Sequence, residues 1–155
     1  MNSQKIYLTP EGLAKLQSEI EELKNQKRPK VVERLSLARM QGDLSENAEY
    51  ASAREELAFL DGRIEELEET LNNVVIVNNG KSSKDTVDLG CQVTVQIDDK
   101  QIIYSIVGEL EANPAQKKIS LSSPLGQALR GKKVGEEIIF DAPAGKVTYK
   151  ILKIE

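Results

Sequence analysis

Asp43 and Glu46 are the residues of this chain whose type and spacing could do chemistry. They stand in the run Gly42-Asp43-Leu44-Ser45-Glu46-Asn47-Ala48-Glu49-Tyr50. Carboxylates are hard oxygen donors of the kind divalent cations prefer. The same spacing also matches a capping box, in which Asp43 accepts from the first-turn amides of a following helix and Glu46 reaches back. The pair alone leaves both readings open, so the elements that carry it must be read first.

Those elements are two heptad-patterned segments. Leu13, Leu16, Ile20 and Leu23 keep three-and-four spacing, and the seam runs less cleanly on through Val31, Leu35 and Ala38. Tyr50, Ala53, Leu57, Leu60, Ile64, Leu67, Leu71 and Val74 repeat the pattern, which is the period of a coiled-coil seam. In an antiparallel pair, partner residue numbers have a constant sum. Leu13 with Val74, Leu16 with Leu71, Ile20 with Leu67 and Leu23 with Ile64 satisfy that condition, and the mirror point falls at Asp43 and Leu44. Gly42 supplies the break at this register. Thr9 suits the N-cap and Pro10 the first position of helix one. About thirty residues at ~1.5 Å each predict a rod of about 45 to 50 Å with the two carboxylates at its tip. Pro29 inside helix one should bend or widen it near Gln26 to Pro29. A hairpin tip is a poor place to spend acidic residues on a core and a good one for delivering them.

Composition excludes several function classes. The 155 residues contain no histidine and one cysteine, Cys91, so His-activated nucleophiles, zinc sites built on His or several Cys, and an internal disulfide are all ruled out. A formal net charge of −4 argues against a free-standing duplex binder. Lys24, Lys27, Arg28, Lys30, Arg34 and Arg39 nevertheless form a basic band on the distal half of helix one, while acidic residues crowd the base. That band is either a solvated face with cross-helix ion pairs or a phosphate-facing strip, and Arg54 extends it. No stretch approaches the ~20 apolar residues of a membrane span, and residues 1–9 lack the apolar run of a signal peptide. A cytoplasmic protein without membrane association is expected.

After Val77 the run from Asn78 to Asp85 is polar and turn-rich, which sets a boundary. The expected organisation is a hairpin over 1–77, a linker over 78–86 and a second domain over 87–155. Strands are predicted at Gln92 to Ile97, Gln101 to Val107, Lys117 to Leu121, Glu137 to Phe140 and Lys146 to Lys153. Asp98-Asp99-Lys100 and Pro143-Ala144-Gly145 read as hairpin turns. Ser123 and Pro124 begin a short helix over Leu125 to Arg130, closed by Gly131. The fold class is α+β.

Two motifs carry a family resemblance. The run from Gly42 to Tyr50, followed by Ala53-Arg54-Glu55, resembles the signature of the bacterial Gre transcript-cleavage factors, GreA type. Ser122-Ser123-Pro124-Leu125-Gly126, Ala128-Leu129, Gly131-Lys132 and Val134-Gly135-Glu136 resemble that family's carboxy-terminal pattern. The resemblance spans essentially the whole chain. It implies a coiled-coil hairpin plus a small FKBP-like antiparallel β domain with one short helix. It further implies a monomer that docks this domain at the rim of the RNA polymerase secondary channel and inserts the hairpin toward the active site. The cleavage of the nascent RNA 3′ end in backtracked complexes would then belong to the polymerase, so this chain is no enzyme alone.

On this resemblance Asp43 and Glu46 match the acidic tip positions that would share Mg²⁺ with the polymerase, only in the complex, with no cofactor held tightly by the chain itself. Ser45, Asn47 and Tyr50 support the tip; Ser45 stands where the family often has a basic residue. Lys27, Arg28, Lys30, Arg34, Arg39 and Arg54 are candidates for contacts with RNA or polymerase. Ser123, Pro124 and Leu125 are candidates for docking, although capping alone would explain Ser123 and Pro124. Three rivals stand beside this reading. A secondary-channel inhibitor would keep both domains and alter the tip. A prolyl isomerase would need an aromatic-lined pocket, for which the segment after residue 85 offers only Tyr104, Phe140 and Tyr149. A coiled-coil adaptor would explain the seams and leave the tip without purpose.

Overall fold

The computed structural model describes residues 4–43, 46–77 and 85–155. Leu44, Ser45 and residues 78–84 of the predicted connection lie outside them. The chain divides into two compact units, Ala14–Asn73 and, as far as its residues are described, Met1–Leu13 with Val74–Glu155.

The first is a helical hairpin. It contains α1 (Pro10–Glu22) from Ala14 onward, a π-helical segment (Leu23–Lys27), α2 (Arg28–Met40) and α3 (Ala48–Asn72). As predicted, Thr9 caps α1, its hydroxyl accepting the Gly12 N–H at 3.1 Å, and the chain leaves α2 at Gly42 with φ +113°, a conformation that favours glycine. Leu16, Ile20, Leu23, Val31 and Ala38 are buried from one side of the hairpin, and Ala53, Leu60, Ile64 and Leu67 from the other. Each buried Leu or Ile contributes about 1.5–3 kcal/mol, so the seam holds the pair together.

The π-helical segment explains why the seam falters in the middle. Pro29 has no N–H to offer the carbonyl one turn back, and the helix widens just ahead of it, with Arg28 N–H donating to the Leu23 carbonyl five residues back. A π turn holds one extra residue. Leu23 and Val31 are eight residues apart, one more than a heptad, and the extra residue returns both to the buried face. Beyond it Val31 and Ala38 are buried on α2 and Ala53 on α3, with Leu35, Leu57 and Tyr50 half-buried beside them in the sequence pattern. Proline and the irregular seam are therefore one feature.

The second unit is built around strands. β1 (Ile6–Leu8) and β2 (Val74–Ile76) pair in parallel, Ile6 opposite Val74 and Leu8 opposite Ile76. This corrects the expectation that helix two continues to Val74. α3 stops at Asn72, because the β-branched run Val74-Val75-Ile76 finds a strand partner at the start of the chain. Among the described residues a five-stranded sheet follows the order β5-β4-β3-β7-β6. Its strands are β3 (Gln92–Ile97), β4 (Lys100–Val107), β5 (Lys118–Ser120), β6 (Glu137–Ala142) and β7 (Gly145–Ile154), with α4 (Pro124–Leu129) between β5 and β6. All five predicted strands are present. β5 runs parallel to β4, not antiparallel, because the intervening chain passes through two 3-10 turns, Glu109–Glu111 and Pro114–Gln116, and crosses over before pairing. Val93, Val95, Ile106, Leu129 and Ile151 form the centre of the core and are completely or almost completely buried. Cys91 lies in this core as a small hydrophobe.

Candidate functional site

The hairpin turn is positioned by one side chain. Asn47 is the N-cap of α3: its Oδ1 accepts the Tyr50 N–H at 3.0 Å, and its Nδ2 donates to the Ala38 carbonyl at 2.7 Å. One residue thus caps α3 and ties it to the last turn of α2. The capping box that Asp43 and Glu46 could have formed is not the cap of this helix, because Asn47 stands directly before Ala48 and occupies the N-cap itself. Asp43 and Glu46 are both exposed. Ser45, expected to support them, lies outside the described residues. Asn47 was expected only to support the tip. The signal for its structural role was available, since Asn is a favoured N-cap type.

Tyr50 is half-buried beside the turn, with the Arg39 guanidinium 5.9 Å from its ring centroid, a cation–π distance. Behind this pair the basic band is interleaved with carboxylates of α3. Arg34 reaches Glu49 at 3.1 Å and Glu56 at 2.6 Å. Arg28 reaches Asp61 at 2.6 Å, Lys24 pairs with Glu68, and Lys27 stands 3.7 Å from Glu22 of its own helix. Hydrogen bonds to Glu56 and Glu49 raise the pKa of Arg34, and the hydrogen bond to Asp61 raises that of Arg28. Both stay charged at any working pH. These pairs are exposed, so they are weak and screened by salt. Among the described residues, Lys30, Arg39 and Arg54 have no carboxylate within ion-pair distance. Sequence reasoning left ion pairing and phosphate contact as alternatives for the band. The structure engages Lys24, Lys27, Arg28 and Arg34 in ion pairs and, among the described residues, Arg39 and Arg54, the cations nearest the turn, in none.

In the second unit the candidate docking residues have local tasks. The Ser123 hydroxyl accepts the Gly126 N–H at 3.1 Å and donates to the Ser120 carbonyl at 2.6 Å, Pro124 occupies the first turn of α4 and is exposed, and Leu125 packs against the core. Gly131, with φ +76°, turns the chain after α4, as expected.

At the tip Asp43 and Glu46 are two exposed carboxylates. Among the described residues no group of three or more Asp, Glu, His or Cys side chains could hold a metal ion, so this pair offers part of a ligand set. Among the same residues no helix is long and apolar enough to cross a membrane.

Comparison with known proteins agrees along the whole chain. Residues 6–76 match the model "Transcription elongation factor, N-terminal" and residues 82–155 match "Transcription elongation factor, GreA/GreB, C-term". A "Transcription elongation factor GreA" of Caldanaerobacter subterraneus subsp. tengcongensis is 47% identical over 154 residues, 98% of each chain. One of the same name from Lactococcus lactis subsp. cremoris is 47% identical over 150 residues, 96% of each chain. A solved structure, that of the GreA factor homolog 1 (Gfh1) protein of Thermus thermophilus, is 26% identical, covers 98% of this chain and 99% of its own, and superposes with a TM-score of 0.46. With both family models matched and relatives near half identical over almost the full length, the chain belongs to the GreA/GreB family of transcription elongation factors.

Proposed function

We propose that this protein binds bacterial RNA polymerase in the cytoplasm as a monomer, enters its secondary channel with the hairpin, and stimulates cleavage of the nascent RNA 3′ end in backtracked complexes. The observation that carries the reading is the exposed pair Asp43 and Glu46 at the hairpin turn, whose helix-capping task is taken by Asn47. Backtracking moves the RNA 3′ end out of reactive register, and internal cleavage creates a new aligned end. Asp43 and Glu46 would hold a Mg²⁺ ion jointly with the polymerase; their hard oxygens fit that ion. Such an ion, when bound, helps activate water and stabilise the leaving oxygen of a phosphodiester.

The chain's own residues deliver and orient. Asn47 fixes the start of α3 against α2, so the two carboxylates are presented from a braced turn. Arg39 and Arg54 lie nearest the turn and are suited to phosphate, while the exposed pairs of Arg28 and Arg34 can exchange a carboxylate for one. The bond-breaking activity belongs to the polymerase, with this chain contributing ligands.

The test is RNA cleavage in reconstituted backtracked bacterial elongation complexes, comparing wild type with Asp43→Asn/Glu46→Gln at matched polymerase occupancy. Mg²⁺-dependent cleavage by wild type, lost in a variant that still binds, is the expected result. Binding without cleavage by either protein would overturn the reading in favour of a channel inhibitor.

A further inference from the structure

The back of α3, away from the seam, holds an aromatic side chain beside a glycine. Phe59 is 73% exposed, although Leu60, next in sequence, is buried in the seam. Gly62 stands three residues further on, and residues three apart are neighbours on a helix surface. Ala58, Phe59 and Gly62 are all exposed, and all belong to the hairpin unit. A single exposed apolar side chain is ordinary on a protein surface; its place beside a helical glycine is not.

Glycine is the least favourable helix residue after proline. Gly62 lies in the interior of α3, and a Cβ there would meet nothing among the described residues within 4 Å, the helix's own backbone aside. The described chain therefore gives no steric reason for it. Gly12 is the opposite case: a Cβ there would stand 2.3 Å from the carboxyl carbon of Glu111, whose Oε2 accepts the Thr9 N–H at 3.0 Å. Close approach of another molecule is the reason left for a glycine at position 62.

Charge narrows what that molecule is. Glu49, Glu56, Asp61, Glu66 and Glu68 of α3 are engaged by arginine or lysine. Glu55, Glu65 and Glu69 are exposed and, among the described residues, have no cation within ion-pair distance. Phosphates would be repelled here. A second copy packed back to back about a two-fold axis would bring the same carboxylates together. A basic protein surface fits.

Resting on the function proposed above, we propose that the back of α3 docks on protein: Phe59 enters an apolar pocket on the wall of the polymerase channel. Gly62 lets that wall come close, and Glu55 and Glu65 meet Lys or Arg at the pocket rim. Aromatic side chains seated in such pockets dominate interface energetics, and losing one costs about thirtyfold in affinity.

The experiment measures binding of the full-length protein and its variants to core RNA polymerase, with the melting temperature of each free protein beside it. Phe59→Ala should weaken binding about thirtyfold and, because Phe59 is exposed, leave the melting temperature within about 2 °C. Gly62→Ala should raise the melting temperature by about 2 to 4 °C and still weaken binding about fivefold or more. Stability gained together with affinity lost is a pair of signs that a merely structural glycine does not give. Glu55→Gln/Glu65→Gln should weaken binding at low salt and flatten its salt dependence. A photocrosslinking phenylalanine analogue in place of Phe59 should join to a polymerase subunit in backtracked complexes. Phe59→Ala or Gly62→Ala binding within about twofold of wild type, or a crosslink to RNA or to a second copy, would each overturn the proposal. Wild type that binds and stimulates no cleavage would overturn the cleavage function, with the variants' affinities still deciding the docking face. Wild type that does not bind polymerase would overturn both.

Discussion

Replacing Asn47 by alanine separates structural from chemical roles at the tip. Two interactions disappear at once. Loss of the N-cap acceptor for Tyr50 N–H costs about 1 kcal/mol, and loss of the bond to the Ala38 carbonyl, part-buried at 2.7 Å, costs about 1 more. The hairpin should lose about 2 kcal/mol, equivalent to a rise of about thirtyfold in its opening constant. Asn47→Asp should lie about midway, since a carboxylate still caps α3 but cannot donate to Ala38. Asp43→Asn and Glu46→Gln, exposed and not serving as the cap, should stay within about 0.5 kcal/mol of wild type. Urea unfolding followed by helical circular dichroism, with amide exchange at Tyr50 and Ala51, measures all four. The reasoning is refuted if Asn47→Ala proves neutral while Asp43 or Glu46 substitution costs about 1 kcal/mol, for then the carboxylates would be the cap after all.

Pro29→Ala should return well under the ~3 kcal/mol that proline costs in a regular helix, because closing the π turn would rotate Val31 and Ala38 off the buried face. Deleting Gln26 together with Pro29→Ala removes the extra residue and should recover more; urea midpoints of the two variants decide. Burial, with Tyr149 adding to it, raises the Tyr104 phenol above its ordinary range. As pH rises past about 10 the unfolded chain therefore loses this proton first. The stability that Tyr104 adds is full below that pH and is lost as pH climbs toward the folded value, so Tyr104→Phe should flatten the alkaline fall in melting temperature. Asp43→Asn/Glu46→Gln is expected to bind polymerase and fail to stimulate cleavage, as set out above.

The local code of this chain is strong where periodicity and caps speak together. Seam spacing and Gly42 placed the hairpin turn, Thr9 and Pro10 its start, and β-branched runs the five sheet strands, because each signal acts within about one turn of helix or one hairpin. The acidic tip pair was legible for the same reason, as was a proline-induced widening near Gln26 to Pro29. Other features depend on groups that meet only after folding. Ile6-Tyr7-Leu8 and Val74-Val75-Ile76 are too short to signal strands alone and become so by pairing with each other. Whether Asp43 or Asn47 caps α3 turns on where the helix starts once Ala38 is within reach of Asn47. Arg28 and Arg34 read equally as phosphate contacts or ion pairs until α3 brings Asp61, Glu49 and Glu56 beside them. Glu111 looks like an ordinary surface acid in the sequence. Its place against Thr9 and Gly12 exists only because tertiary packing brings residues 102 apart together, and no local pattern encodes a contact of that range.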